Sequence, residues 1–148
     1  MQLIIGYGNR LRGDDAVGML AAECLHESSP DPQVEILAVH QLTPELAEPI
    51  SRADRVTFVD ACVEGPRGEI AIRSIRSAVL PDAAFTHHAT PEGLLAAARA
   101  LYGRAPDACL ISVAGADFSF ALEPSLELRR SVDSVVSLLR RILRTATI

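Results

Sequence analysis

A short apolar segment followed at once by a glycine-rich, acidic turn is the feature that most constrains this chain. Leu3-Ile4-Ile5 is typical of a short buried strand, and residues 6–18 read GYGNRLRGDDAVG. The first glycines of this run favour a tight turn from the strand into a helix. A strand, a glycine turn and a helix in that order resemble the start of a dinucleotide-binding unit.

The charge of the turn argues against a bound dinucleotide. A phosphate cradle offers bare backbone N–H groups and the positive end of a helix to an anion, whereas Asp14 and Asp15 put two carboxylates there. The third glycine of a GxGxxG motif is also missing, because Leu11 occupies its position. Two acids would repel a pyrophosphate and attract a cation. We therefore interpret the run as a metal-facing or carboxylate-using turn.

Length and composition predict one compact domain spanning residues 1–148, with 49% hydrophobic and 22% charged residues. A net charge of −5 disfavours non-specific binding to nucleic acid. The chain shows no signal-peptide pattern and no apolar run of membrane-spanning length. Its three cysteines are widely separated and form no CxxC pair, which is typical of reduced thiols in a cytoplasmic protein. We expect Cys24, Cys62 and Cys109 to be small core residues.

Apolar segments with strand character alternate with helical ones. Strands are expected at about 2–6, 34–39, 56–59 (ending at Asp60), 69–74 and 109–113. Helices are expected at about 14–26, after Thr43 as N-cap, at 90–102 and at 125–144. The turn at 65–68 is too short for a helical crossover, so the fourth strand should be an antiparallel edge. The predicted fold is α/β, a three-layer α/β/α sandwich around a mainly parallel sheet of about five strands.

Ligands of such sheets bind beyond the carboxyl ends of the strands, which selects three places. The first is Asp14-Asp15, where a structural role as helix cap or dipole partner is favoured for Asp14. The second is Asp60, which also fits a turn aspartate bonded to nearby backbone. The third is His87-His88 before the third helix, where a single histidine would usually be a surface residue. Two carboxylates and an imidazole suit zinc, nickel or cobalt and leave positions open for substrate.

The opening residues carry a resemblance to a known family. They read Gly6-x-Gly8-Asn9-x-Leu11-x-x-Asp14-Asp15-x-x-Gly18. This pattern closely resembles the opening of the [NiFe]-hydrogenase maturation endopeptidases, which trim a C-terminal extension from the large-subunit precursor after nickel insertion. Further similar segments are Val59-Asp60-Ala61 at the end of the third strand, residues 40–46 (HQLTPEL) and His87 before the third helix.

The resemblance implies a set of site residues. The family's metal-contacting and catalytic positions fall on Asp15, Asp60 and His87, and a slip of one residue would select His88 instead. Gly8, Asn9 and Gln41 are assigned to substrate binding. Some relatives have an acid after the second strand, but this chain has Ala38-Val39-His40-Gln41 there. A mechanism that needs that acid does not transfer, and His40 or Gln41 is expected to contact substrate instead.

The implied function is a processing endopeptidase whose partner is a hydrogenase large-subunit precursor. The nickel would be supplied by the precursor, would serve as a checkpoint, and no organic cofactor is expected. Hydrolysis then proceeds either through the metal or through a carboxylate acting as general base. Two other functions stay open from the residues: a peptidase with a different substrate on the same fold, and a non-catalytic metal-handling or precursor-binding protein.

Overall fold

The computed structural model describes residues 1–28, 31–77 and 89–145 of the chain. Its strands are β1 Gln2–Tyr7, β2 Val34–Val39, β3 Arg55–Cys62, β4 Ile70–Ile75 and β5 Asp107–Ala114. Its α-helices are α1 Val17–Ser28, α2 Ala47–Arg52, α3 Pro91–Tyr102 and α4 Leu126–Thr145. Short 3₁₀ helices at Gly13–Ala16 and Pro44–Leu46 lead into α1 and α2.

The five strands form one sheet in the order β2-β1-β3-β5-β4. Neighbours are parallel except for β4, which pairs antiparallel with β5 at the edge of the sheet. The alternation of strands and helices therefore predicted the α/β fold correctly. The short connection between β3 and β4 correctly predicted that β4 is an antiparallel edge strand. Since β2 and β3 flank β1 on opposite sides, the chain reverses direction across the sheet there, and a crevice opens beyond the carboxyl ends of β1 and β3.

Two hydrophobic cores cover the two faces of the sheet. Leu3, Ile5 and Phe58 face the core under α2 and α3, whereas Ile4 and Val59 face the core under α1 and α4. This division follows from the two-residue repeat of a strand, which sends successive side chains to opposite faces. Helices cover both faces of the sheet, which gives the three layers that the sequence predicted. Among the helices of the described residues, none has the length and apolar composition that a membrane crossing needs.

Several predicted boundaries differ from the structure. The first α-helix begins at Val17 rather than Asp14, because residues Gly13–Ala16 form a 3₁₀ helix. Thr43 has the extended backbone of a cap residue, but its side chain makes no capping hydrogen bond. Thr90 does cap α3 through Gly93 N–H, and Gly103 ends that helix with φ 76°, as predicted.

The third strand continues past Asp60. Its ladder with β5 pairs Asp60 with Ser112 and runs on to Cys62 and Ala114. Asp60 is therefore a residue of the strand itself and not the first residue after it. The three cysteines are free thiols and only half-buried, so the prediction that they are core residues is only partly met.

Candidate functional site

A cleft opens where the carboxyl ends of β1 and β3 meet the turn that follows β1. In the register of these strands Gly6 lies opposite Val59, so Tyr7 and Asp60 are the next residues outward. Both continue the face of the sheet that carries Ile5 and Phe58. The cleft has a volume of about 310 Å³. Its lining residues are Tyr7, Gly8, Asp15, His40, Gln41, Leu42, Asp60 and Ala89.

Asp15 is held at the mouth of the cleft by the backbone of the preceding turn. The Asn9 N–H donates a 2.7 Å hydrogen bond to its Oδ2. Gly8 has φ 148°, and a Cβ at this position would lie 2.0 Å from the Asp15 carbonyl oxygen. Only glycine allows the turn to approach Asp15 this closely. The GxGN motif thus positions a carboxylate rather than a phosphate.

A second glycine contact sets the position of α1 against the sheet. A Cβ on Gly18 would lie 2.3 Å from the Val59 carbonyl oxygen, and a Cβ on Gly6 would lie 2.0 Å from the Gly18 carbonyl oxygen. The helix therefore packs with its backbone directly on β1 and β3. Because Asp15 lies in the 3₁₀ helix that precedes α1, this contact also fixes its distance from Asp60.

Asp60 is half-buried at the floor of the cleft. Burial raises its pKa to about 6, and the charge of Asp15 acts in the same direction. Hydrogen bonds from the Tyr7 hydroxyl and from the Ala61 N–H, which is 2.8 Å from Oδ1, oppose this rise. Burial next to Asp60 also raises the pKa of Tyr7 above its usual range. Tyr7 thus stays protonated and donates a hydrogen bond to Asp60.

Asp14 has a different role from its neighbour Asp15. The residue is 5% exposed, and its carboxylate receives two hydrogen bonds from Arg67, from Nε to Oδ2 at 2.9 Å and from Nη2 to Oδ1 at 3.0 Å. The Ala116 and Asp117 N–H groups donate to Oδ2 at 2.8 and 3.1 Å. Burial alone would raise the pKa of Asp14, but these hydrogen bonds outweigh it and lower the pKa. The role is structural, as the sequence favoured, yet Asp14 joins three loops and is not a helix cap.

The two cleft carboxylates have no cationic partner among the residues that the structure describes. In the three described ranges, no arginine forms an ion pair with Asp15 or Asp60. Two carboxylates close enough to raise a pKa, with no counter-charge in the described part of the chain, form a place where a cation lowers the energy. Carboxylate oxygens are ligands for divalent ions of hard or borderline character.

The third predicted ligand lies outside the described residues, since His87 and His88 fall between residues 77 and 89. The described part of the chain contains no group of three histidine, cysteine or acidic side chains that would hold a metal ion. Ala89, two positions after His87, lines the cleft.

The predicted substrate-binding residues differ in where they lie. Gly8 and Gln41 line the cleft, together with His40. The Asn9 side chain instead turns back on its own loop, where its Oδ1 accepts a 2.9 Å hydrogen bond from the Leu11 N–H.

Sequence reasoning missed two contributors to the site, Tyr7 and Arg67. Tyr7 follows Leu3 and Ile5 on one face of β1, so the strand repeat places its side chain beside Asp60; that signal was present in the sequence. Arg67 lies 53 residues from Asp14 in a turn, and nothing local in the sequence links the two.

Comparison with solved structures finds hydrogenase maturation proteases that match along almost the whole chain. The [NiFe] hydrogenase maturation protease HycI from Thermococcus kodakarensis KOD1 is 30% identical, with a TM-score of 0.77, over 97% of this chain and 92% of its own. A hydrogenase 2 maturation peptidase from a Thaumarchaeota archaeon is 25% identical, with a TM-score of 0.71, over 96% and 97%. The hydrogenase maturating endopeptidase HybD from E. coli, at 23% identity, shares the fold with a TM-score of 0.78 over 99% and 93%. No protein-family model and no curated protein matches the chain.

Proposed function

Because this chain belongs to the [NiFe]-hydrogenase maturation proteases and is a peptidase, we propose that it removes a C-terminal extension from a hydrogenase large-subunit precursor. In this proposal the nickel ion that the precursor already carries is the recognition element. The ion arrives as part of the substrate and leaves with the product.

The observation that carries the proposal is a pair of carboxylates in one cleft that no described cationic side chain pairs with. Asp14, which has no part in the chemistry, is neutralised by Arg67. Asp15 and Asp60 face the cleft without any such partner in the described ranges. A site for a neutral peptide alone would gain nothing from two unbalanced negative charges, whereas a site that must recognise a metal-loaded peptide gains selectivity from them.

We propose Asp15, Asp60 and His87 as the residues that contact the precursor's nickel. In the sequence His87 is two positions before Ala89, a lining residue of the cleft. Two carboxylates and one imidazole would leave nickel positions free for ligands from the precursor. A shell this small holds a free ion weakly, as a sensor that must release its substrate requires.

The charge of the cleft explains how a loaded precursor would be distinguished from an empty one. With a pKa of about 6, Asp60 is largely ionised at neutral pH beside Asp15. An empty precursor would bring uncharged peptide against two repelling carboxylates. A loaded precursor brings a cation that relieves the repulsion, and discrimination follows from that difference in binding energy.

Hydrolysis requires a water molecule beside the scissile carbonyl. Two routes are compatible with this cleft: the precursor's metal polarises the carbonyl or the water, or Asp60 accepts the proton of the attacking water. Gly8 and Gln41 line the same cleft and would contact the extension, and Asn9 would contribute through its hold on Asp15. The three free thiols agree with a reaction in the reducing cytoplasm, where we place this step.

Mass spectrometry of the precursor tests the proposal. Nickel-loaded and nickel-free precursor from the organism that carries this chain would each be incubated with the wild-type protein, with Asp15→Asn and with Asp107→Asn. Asp107 is an exposed acid at the start of β5 and serves as the matched control. We expect loss of a C-terminal peptide only from loaded precursor, with wild type and Asp107→Asn but not with Asp15→Asn. Cleavage of both precursors would contradict the checkpoint and favour a peptidase of broader substrate range.

A further inference from the structure

Three exposed apolar side chains, Leu11, Phe120 and Leu122, form what we call the apolar rim, on two backbone segments that lie against each other. They are 44%, 63% and 80% exposed. The Ala121 N–H donates a 3.0 Å hydrogen bond to the Leu11 carbonyl oxygen, so the backbone that carries Phe120 and Leu122 lies directly against that of Leu11. Single exposed apolar residues are ordinary, but large ones gathered at one place mark an interaction surface.

Asp14, in the turn after β1, holds the loop that carries Phe120 and Leu122. Asp14 N–H donates to the Asp117 carbonyl oxygen at 2.8 Å, and the Asp14 carboxylate accepts from Ala116 and Asp117. Asp117 in turn accepts from the N–H and the hydroxyl of Ser119 at 3.0 and 2.6 Å. A loop fixed in this way loses little conformational entropy when a partner binds.

The turn that follows β1 links the rim to the cleft. The Leu11 N–H donates to the Asn9 side chain, and the Asn9 N–H holds Asp15. The cleft, at about 310 Å³, is at the small end of the range for ligand sites and takes only a short piece of peptide. The folded part of a protein substrate must therefore rest outside it, on the surface that borders it.

Building on the function proposed above, we propose that the apolar rim docks an apolar surface of the precursor's folded body, adjacent to the segment that enters the cleft. The occupant is the substrate protein itself and not its C-terminal extension. Metal recognition in the cleft would then report that the precursor is loaded, while the rim selects which precursor is bound.

The test compares two double variants with the wild type on nickel-loaded precursor. Phe120→Ser with Leu122→Ser removes the rim. Leu101→Ser with Tyr102→Ser removes two similar side chains, 67% and 52% exposed, at the far end of α3. Initial rates from mass spectrometry give KM and kcat for each protein, and thermal unfolding checks that each is folded. We expect the rim variant to raise KM about tenfold or more, with kcat within about twofold of wild type, and the control variant to change neither.

Three results would overturn the inference, and they differ from one another. Equal KM values for the two double variants would show that the rim does not bind the precursor, while wild-type cleavage would leave the proposed function intact. A wild-type dimer that the rim variant converts to a monomer, with KM unchanged, would assign the rim to a second copy of the chain. Failure of the wild type to cleave loaded precursor would remove the proposed function and this inference with it.

Discussion

At the scale of single residues, two adjacent acids perform separate tasks. Asp14 is buried, paired with Arg67 and bonded to the loop after β5, whereas Asp15 faces the cleft and its carboxylate accepts a hydrogen bond from the Asn9 N–H. The difference follows from the 3₁₀ helix, which directs neighbouring side chains to different sides of the turn. Substitutions at the two positions should therefore affect different properties.

Replacing Asp14 should reduce stability. Asp14→Asn leaves Arg67 without its carboxylate, and we expect the free energy of unfolding at pH 7 to fall by about 2 kcal/mol, less than for a fully buried pair because Arg67 is partly exposed. The pKa of Asp14 is lowered in the folded protein, so its contribution is present above the unfolded pKa and is lost as pH falls through the folded one. Urea unfolding at pH 7 and at pH 3 should show the difference from wild type shrinking at the lower pH.

The control for that experiment is Asp107→Asn, which removes an exposed acid and should change stability by less than about 0.5 kcal/mol. A loss in Asp14→Asn no larger than in the control would contradict the structural role of Asp14.

Replacing Asp60 should increase stability at neutral pH. Its folded pKa of about 6 exceeds the usual value of 3.8, so folding is penalised once the carboxyl ionises, and the penalty grows as pH rises from about 4 through 6. Asp60→Asn keeps an oxygen that can accept from Ala61 and Tyr7 but carries no charge. We expect its melting temperature to exceed that of wild type by about 4 °C at pH 7.5 and to lose this advantage at pH 4. A pH-independent difference would be inconsistent with the raised pKa.

At the scale of secondary-structure elements, the position of the site depends on how closely α1 approaches the sheet. Gly6 and Gly18 remove the side chains that would separate the helix from β1 and β3. The sequence placed these glycines in a motif, but their purpose is visible only in three dimensions. Neither the 3₁₀ start of α1 nor the continuation of β3 past Asp60 could be read from the sequence. The first depends on contacts with Asp117 and the second on pairing with β5, both far away along the chain.

Adding a methyl group to α1 should displace the helix. Gly18→Ala places a Cβ 2.3 Å from the Val59 carbonyl oxygen, a backbone atom that cannot move alone. We expect a loss of about 3 kcal/mol or more, with reduced cleavage because Asp15 shifts with the helix. Gly103→Ala is the comparison: nothing lies within 4 Å of its Cβ, and only the left-handed φ of 76° costs about 1 kcal/mol. Chemical denaturation of both variants measures the difference, and equal losses would refute the steric explanation.

At the scale of the whole molecule, one sheet joins two cores. Leu95 of α3 belongs to one core and Leu139 of α4 to the other, and they are 1% and 0% exposed. Because adjacent residues of each strand supply opposite cores, neither face can lose its packing without disturbing the strand that serves the other. Unfolding should therefore be a single transition.

Truncation in either core tests this coupling. Leu95→Ala and Leu139→Ala should each lower the free energy of unfolding by about 3 kcal/mol while keeping one transition. Circular dichroism and tyrosine fluorescence, followed in urea, should give coincident curves for both variants. Leu101→Ala, at an exposed position of α3, should stay within about 0.5 kcal/mol of wild type. Two separated transitions in either core variant would show that the faces unfold independently.

The same scale separates what the sequence could reveal from what it could not. The three layers and the antiparallel edge follow from local patterns that each element carries. Local patterns also selected Asp14-Asp15 and Asp60 as places of interest, whereas the choice of Asp15 over Asp14 rested on the family resemblance; Asp15 and Asp60 both line the cleft. The link between Asp14 and Ala116 spans 102 residues and exists only because β5 returns next to β3. Long-range polar contacts of this type have no periodicity and leave no local pattern.

The Asp14–Arg67 pair has a consequence for the loop between β5 and α4. Asp14 fixes the loop at residues 116 and 117, while Ser125 contacts Arg67 at 3.4 Å and bonds to Leu128 N–H at 3.1 Å at the start of α4. Residues 118–124 are thus a loop whose two ends are both held by hydrogen bonds. Under the docking proposal above, substitutions at the outward-facing positions of this loop would change which precursor is bound, while the hydrogen bonds at its two ends keep the loop attached to Asp14 and to α4.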